Sequence, residues 1–363
     1  MKAICIVIDD ISLNAGTERA VCNLANLLES SCKYHAVITS LFSQEDSTVK
    51  YSLEKGVEIV HFSLSNSGKA ERFRSYSKFV KIMSAKYADT YHAIVGTTHA
   101  LNSLLPKIRT KSCLIGCEHL NYDSCPWYSK QIRRMMYPKL DGVVLLTNAD
   151  KKHYVDFIDS KKLFVIPNSV SFTSDVTSTL SSKRIIALGR LEAQKGFDYL
   201  VEVADILKNK INDWHIDVFG DGSEREKLEE QSRKLNVQDY ITFRGGTNHV
   251  TEELLNSSIY VMTSRFEGLP MVLIEAQIVG LPIVSFDCPE GPADIVNNGE
   301  NGFLVPLGNV EEFAERVIEI SQNEGMRLSF GKNATEGSKR FNPNNIYCLW
   351  DKLFTLLIEK ELS

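Results

Sequence analysis

Glu267 and Glu275 stand eight positions apart in SRFEGLPMVLIEAQIVGLPIVSFDCPEGPADIV, residues 264–296, with a Gly-Leu-Pro turn between them. The turn opens an apolar helical pattern, Val272, Leu273, Ala276 and Val279, and a buried-strand run, Leu281 to Phe286, follows. A loop running into a helix start presents backbone N–H groups and the positive end of the helix dipole, a setting in which a diphosphate can sit. One carboxylate lies in that loop and the other about two turns into the helix. One can therefore face a sugar hydroxyl while the other reaches a ribose diol. Taken singly, each has a plainer explanation: Glu267 as a helix cap, Glu275 as a solvated helix residue.

Three further sets of residues could share such chemistry. Arg190 and Lys195 flank GRLEAQKG after an apolar strand pattern. Two cations at a strand end can clamp two phosphates and offset the charge of a departing diphosphate, although an isolated Arg-Lys pair is equally a solvated surface. His119, in the run CLIGCEHLN, follows another apolar strand. It reads either as a satisfied structural histidine or as a hydrogen-bonding group at a site, with Glu118 orienting it or capping a helix. Gly16, in the loop ISLNAGTER, would let backbone approach a ligand closely. Glu18 and Arg19 beside it could equally be a capping pair. A dinucleotide fingerprint would need G-x-G-x-x-G here and an acid after the second strand; this loop has one glycine and VITSLFS has no acid, which argues against hydride transfer with NAD. No D-x-D or clustered His/Asp set offers a divalent-ion site.

Such loops need rigid strands behind them, and the chain supplies strand and helix patterns in alternation from end to end. Strands are expected at 2–8, 34–41, 57–62, 92–96, 113–117, 142–146 and 163–166, then at 184–189, 215–219, 240–243, 258–262, 282–286 and 303–305. Between the two sets, IPNSVSFTSDVTSTLSS (166–182) is rich in Ser, Thr and Asn, a linker composition. At 363 residues two α/β cores are expected: an N-terminal domain over 1–168, a linker at 169–182, and a C-terminal domain over 183–342. A final helix near 343–361 carries Ile346, Leu349, Trp350, Leu353, Phe354 and Leu357 at core-packing spacing.

Composition narrows the function classes. No run approaches a membrane span, and the N-terminal MKAICIVIDD is a strand rather than a leader. Cys5, Cys22 and Cys348 fall in apolar patterns, as buried thiols of a reducing cytoplasm would, and Cys113 and Cys117 lack zinc spacing. Residues 1–170 hold 22 Lys and Arg against 16 Asp and Glu, whereas the remainder holds 19 against 30. A basic first half implies an anionic partner. No nucleic-acid module is visible, so anionic lipid or a lipid diphosphate fits better. The segment KAERFRSYSKFVKIMSAK (69–86) has six cations against one acid, with Phe73, Val80 and Met83 on one face and Phe79 and Ile82 beside them. It could lie on a membrane surface or be an ordinary packed helix. Lys130, Arg133, Arg134 and Lys139, with Met135, Met136 and Tyr137, form a second basic cluster, in 130–139.

The spacing E-G-L-P-x-x-L-I-E-A resembles the signature of retaining, nucleotide-sugar-dependent glycosyltransferases of GT-B family 4. ALGRLEAQKGFDYLVEVADIL (187–207), DVFGDGSEREKLEE (217–230) and NAGTERAVCNLANLL (14–28) resemble that family's other landmarks, in the same order. The resemblance implies an α/β GT-B fold, two Rossmann-like domains facing a central cleft, with the C-terminal helix crossing back to close the N-terminal domain. It implies transfer of a hexose or N-acetylhexosamine from a nucleotide sugar, UDP-linked, to a hydroxyl of a lipid-linked oligosaccharide in O-antigen or capsule synthesis. Configuration would be retained, no metal or other cofactor would be needed, and the enzyme would work in the cytoplasm or on the inner membrane face. By this likeness Arg190 and Lys195 take the diphosphate, His119 lies beside the donor sugar, Glu267 contacts sugar hydroxyls and Glu275 the ribose. Gly268 and Leu269 offer backbone N–H groups to phosphate, Gly16 closes over it, and Arg244 is a candidate reader of the base. Many members have two adjacent glycines where this chain has Ala15-Gly16. The rival readings are a UDP-sugar epimerase or phosphorylase on the same architecture, and a non-catalytic glycan-binding subunit.

Overall fold

The computed structural model describes residues 1–120, 122–123, 125–170 and 174–360. The chain divides into two compact units, Met1–Ser171 with Phe341–Ser363, and Phe172–Arg340.

The first unit is built on a wholly parallel sheet in the order β3-β2-β1-β4-β5-β6-β7. Its strands are β1 Lys2–Ile8, β2 Tyr34–Ser40, β3 Glu58–His61, β4 Ala93–Gly96, β5 Cys113–Cys117, β6 Gly142–Leu145 and β7 Leu163–Val165. KAICIVI shows why: an almost unbroken apolar run suits a strand covered on both faces. Alternate residues serve the two faces. Ile4, Ile6 and Ile8 join one core, and Cys5 and Val7 the other. The final helix, Pro343–Lys360, belongs to the first of these cores through Ile346, Trp350, Leu353, Phe354 and Ile358. Phe354 meets the Tyr34 ring at 5.3 Å, and Asp351 accepts from Lys33 at 2.6 Å and Tyr34 at 2.7 Å.

Helices α1 Gly16–Glu29, α2 Lys69–Lys86, α3 His99–Leu104 and α4 Trp127–Met136 connect the strands. In α2 the buried stripe is Ser75, Phe79 and Met83, at four-residue spacing. Phe73 is instead exposed, because it lies on the outer face with Arg72, Arg74, Lys78 and Lys81. The expected face of Phe73, Val80 and Met83 is thus corrected, and α2 presents a charged surface with a single large apolar side chain. Among the described residues no helix is long and apolar enough to cross a membrane.

The second unit has a parallel sheet in the order β10-β9-β8-β11-β12-β13. The strands are β8 Arg184–Leu188, β9 His215–Phe219, β10 Ile241–Gly245, β11 Ile259–Met262, β12 Ile283–Asp287 and β13 Gly302–Pro306. One face packs into a single core with the helices Phe197–Leu207 and Val310–Gln322. The Ser/Thr stretch from 174 is held to this unit. Ser178 N donates to Val279 O at 2.8 Å, and buried Arg327 Nε donates to Leu180 O at 2.9 Å. Positions 171–173 of the expected linker lie outside the described residues.

All eight cysteines are free. Cys5 and Cys22 are buried as expected, whereas Cys348 is exposed, because it sits on the outer side of the final helix.

Candidate active site

In open parallel sheets ligands bind beyond the carboxyl ends of the strands, where strand order reverses. In the second sheet that point lies between β8 and its neighbour β11. The loop after β8 carries Arg190 and Lys195, and the loop after β11 carries Glu267. The two loops are stitched together. Arg265 N donates to Gln194 O at 2.8 Å, and Gln194 Nε2 donates to Phe266 O at 2.9 Å. The Arg265 guanidinium grips Asp198 with two bonds of 2.8 and 2.6 Å, donates to Ala193 O at 2.8 Å and lies 4.4 Å from the centre of the Tyr199 ring. Burial opposes ionisation of Asp198, but Arg265 overrides it and holds the carboxyl below the usual range.

Close approach of backbones makes the stitching possible. Gly196 has φ 63°, and a Cβ there would lie 2.1 Å from Thr263 O. Gly291 has φ 93°, and a Cβ there would meet Gly268 O at 2.2 Å. Both are positions only glycine fills without displacing a loop.

The stitched loops bring Lys195 Nζ to 2.7 Å from Glu267 Oε1. Both side chains are largely buried, so the pair is weakly screened. The helix Met271–Ile278 starts directly behind, and its N-cap, Pro270, supplies no side-chain acceptor. Leu273 N donates to Pro270 O at 3.0 Å, and the N–H groups of Met271 and Val272 lie ahead of any intrahelical acceptor. Glu275 is buried in this helix, and both it and Glu267 act on Tyr260, whose hydroxyl is held above its ordinary pKa by burial first and then by the two carboxylates. Gly268 and Leu269 form the turn between them. Arg190 stands exposed at the end of β8, outside the Lys195–Glu267 pair.

Arg244 lies elsewhere. Its Nε donates to Asp217 Oδ1 at 2.6 Å, within a ladder in which Arg184 also reaches Asp217 and bonds Glu253 at 2.6 Å. Asp217 is held far below the usual carboxylate range, where burial is outweighed by bonds from His215, Arg244 and Arg184. Arg244 Nε meets Asp217 because the two residues lie on neighbouring strands, and about half of the Arg244 side chain stays exposed.

Gly16 and His119 belong to the first unit. Gly16 opens α1, with open space where a Cβ would point, and Tyr51 Oη fixes the loop before it by bonding Asn14 Oδ1 at 2.9 Å. His119 lines a small cavity of about 20 Å³ with Thr97, Cys117, Asn168 and Trp350, room for about one water. Its Nδ1 is buried without a hydrogen-bond partner, and burial pushes its pKa down to about 4. Glu118 neither orients it nor caps a helix. Its carboxylate is taken up by Arg133 at 3.2 Å, Asn102 Nδ2 at 2.9 Å and the Tyr137 hydroxyl. Arg133 is consequently no surface cation: it is fully buried, and Glu118 holds its charge against the cost of burial.

Several site residues were not singled out from sequence. Arg265 and Asp198 sit inside quoted motifs, but nothing in their spacing pairs them. Ser264 is fully buried beside Glu267 with an unpartnered Oγ. Cys288 is pushed up to about 12 by burial and then by Glu267. Among the described residues no three His, Cys, Asp or Glu side chains gather as a metal ion would require.

Residues 174–337 match the family model of glycosyl transferases group 1. The chain is 29% identical over 97% of its length to the amylovoran biosynthesis glycosyltransferase AmsD of Erwinia amylovora, covering 99% of that protein. Over residues 174–337 the chain is similar to the glycosyl transferases group 1, and over almost its whole length to a glycosyltransferase of polysaccharide synthesis. It is therefore an enzyme of glycosyl transfer. Another relative, 27% identical over 94% of this chain and 95% of its own, is the Campylobacter jejuni GalNAc-alpha-(1->4)-GalNAc-alpha-(1->3)-diNAcBac-PP-undecaprenol alpha-1,4-N-acetyl-D-galactosaminyltransferase. The fold is that of solved GT-B glycosyltransferases. Anabaena HepE in complex with UDP matches with a TM-score of 0.80 and 17% identity, over 98% of this chain and all of that one.

Proposed function

We propose that this glycosyltransferase moves a hexose or N-acetylhexosamine from a UDP-sugar to a hydroxyl of a lipid-linked oligosaccharide, with retention, in synthesis of a bacterial surface polysaccharide. The second unit takes the donor and the first the acceptor. Relatives that build amylovoran and extend an undecaprenol-diphosphate glycan support the acceptor class. A structural neighbour that carries UDP supports the donor.

The observation that carries the reading is the Lys195–Glu267 pair, set between two stitched loops at the strand-order reversal and in front of a helix start. In the transfer, the bond from the sugar C1 to the diphosphate breaks and a bond from C1 to the acceptor oxygen forms on the same face. The hydroxyl proton passes to the leaving diphosphate. The protein must stabilise the departing charge and hold an oxocarbenium-like sugar. Lys195, Arg190 and the N–H groups of Gly268 and Leu269 supply the first; Glu267 positions the sugar hydroxyls and Glu275 the ribose. This arrangement stabilises the diphosphate with protein groups, so transfer proceeds without a divalent ion.

Thermal unfolding against a panel of UDP-, GDP- and ADP-sugars is the test, because a bound ligand raises apparent stability. UDP-sugars should protect and the others should not, and turnover should survive EDTA. Selective protection by a GDP- or ADP-sugar would overturn the donor, and activity lost to EDTA the metal-independent step.

A further inference from the structure

Helix α4 is built inside out. Trp127, Tyr128, Ile132 and Met135 are 76%, 56%, 41% and 63% exposed, whereas Ser129 and Arg133 are 4% and 0% exposed. At 100° per residue the four apolar positions span an arc of about 140°. A surface helix normally turns such an arc inward and its charges outward. Here the two terminal nitrogens of Arg133 are engaged inside, by Glu118 at 3.2 Å, the Tyr154 hydroxyl at 3.1 Å and Cys125 Sγ at 3.0 Å. The core thus holds α4 by its one buried charge and leaves the apolar arc to solvent.

The surroundings of that arc indicate what covers it. Arg134 lies along one edge and Lys139 follows just beyond the helix, 127–139 contains no acidic residue, and Lys130 on the same edge is paired with Asp123 at 2.7 Å. Trp and Tyr combine an apolar body with a polar tip suited to the headgroup level of a bilayer. Cations beside an apolar face add attraction to anionic headgroups. A second copy of this chain is a poorer occupant, since face-to-face pairing would bring the Arg134 and Lys139 charges of both copies together.

We propose that α4 docks on an anionic lipid surface, with Trp127, Tyr128, Ile132 and Met135 at the headgroup–acyl boundary and Arg134 and Lys139 against the headgroups. This deepens the reading of a lipid-linked acceptor, by naming the surface on which the enzyme meets it.

The remaining tryptophans, Trp214 and Trp350, are buried, so exposure-sensitive fluorescence reports on Trp127. The full chain is mixed with phosphatidylcholine vesicles with and without phosphatidylglycerol, some with brominated acyl chains. Sedimentation with the anionic vesicles, a blue shift and bromine quenching that vanishes in Trp127→Phe are the expected results. Ile132→Asp should weaken partitioning about tenfold or more, because withdrawing one such side chain from lipid exceeds a decade in affinity. The same variant should keep wild-type protection by UDP, which separates this proposal from the donor reading. Absence of vesicle binding, or Trp127 shielding that instead rises with protein concentration as light scattering reports a dimer, would overturn it.

Discussion

Lys195 and Glu267, 72 positions apart in sequence, meet at 2.7 Å because β8 and β11 are adjacent in the sheet. In the proposed reaction the pair supplies the cation for the leaving diphosphate and the carboxylate for the sugar hydroxyls.

Removing either group should therefore damage the reaction far more than the fold. Lys195→Ala is expected to lower kcat about 10²–10³-fold, the usual effect of losing one electrostatic stabiliser. Glu267→Ala should abolish measurable transfer. Circular dichroism and melting should show both variants folded; wild-type transfer rates in Glu267→Ala would refute the site.

Arg265 and Asp198 should act as positioning residues. Arg265→Ala frees both loops, and we expect kcat to fall roughly tenfold or more, since small misplacements of catalytic groups cost this much. Asp198→Asn should do similar harm, and the double variant little beyond either single one, because the two residues form one unit. Additive losses in a double-mutant cycle on kcat would show that the clamp does not position the site.

The buried Arg133–Glu118 pair should matter to stability. Arg133→Met leaves a carboxylate uncompensated in the core, at a cost of about 3–5 kcal/mol. Arg133→Met with Glu118→Gln should cost less than the two changes summed. Urea unfolding midpoints measure both.

His119 makes stability depend on pH. Burial holds its pKa at about 4, against about 6.5 in an unfolded chain. Between these values the unfolded chain binds a proton that the folded chain does not. Its contribution is thus complete above pH ~6.5 and is lost as pH falls toward 4, by at most about 3 kcal/mol. His99 is also lowered by burial, so the informative quantity is the difference between wild type and His119→Gln. An identical pH slope in the two proteins would contradict the buried, neutral state of His119.

Much of this was legible in residue order. All thirteen described strands lie where apolar runs placed them, within a residue or two, because a strand covered on both faces must be apolar throughout. The final helix is equally legible from its spacing. Glu267, Glu275, Arg190 and Lys195 were visible as chemistry-bearing types near strand ends, since a strand end is a local property.

What depended on partners across the fold was not legible. Arg133 read as one more surface cation until Glu118 appeared opposite it, and nothing in residue order paired Arg244 with Asp217. Phe73 read as sharing a face with Val80 and Met83 and stands in solvent, because Ser75, Phe79 and Met83 form the stripe that fits the sheet. By itself the sequence determined the alternation of strands and helices and the kinds of groups at their ends, since both follow from local periodicity. Only the tertiary structure decided that Lys195 meets Glu267, that Arg265 clamps Asp198 and that α4 turns its tryptophan outward. Each of these depends on which strands and helices become neighbours, and that choice is made by packing over distances that local spacing does not encode.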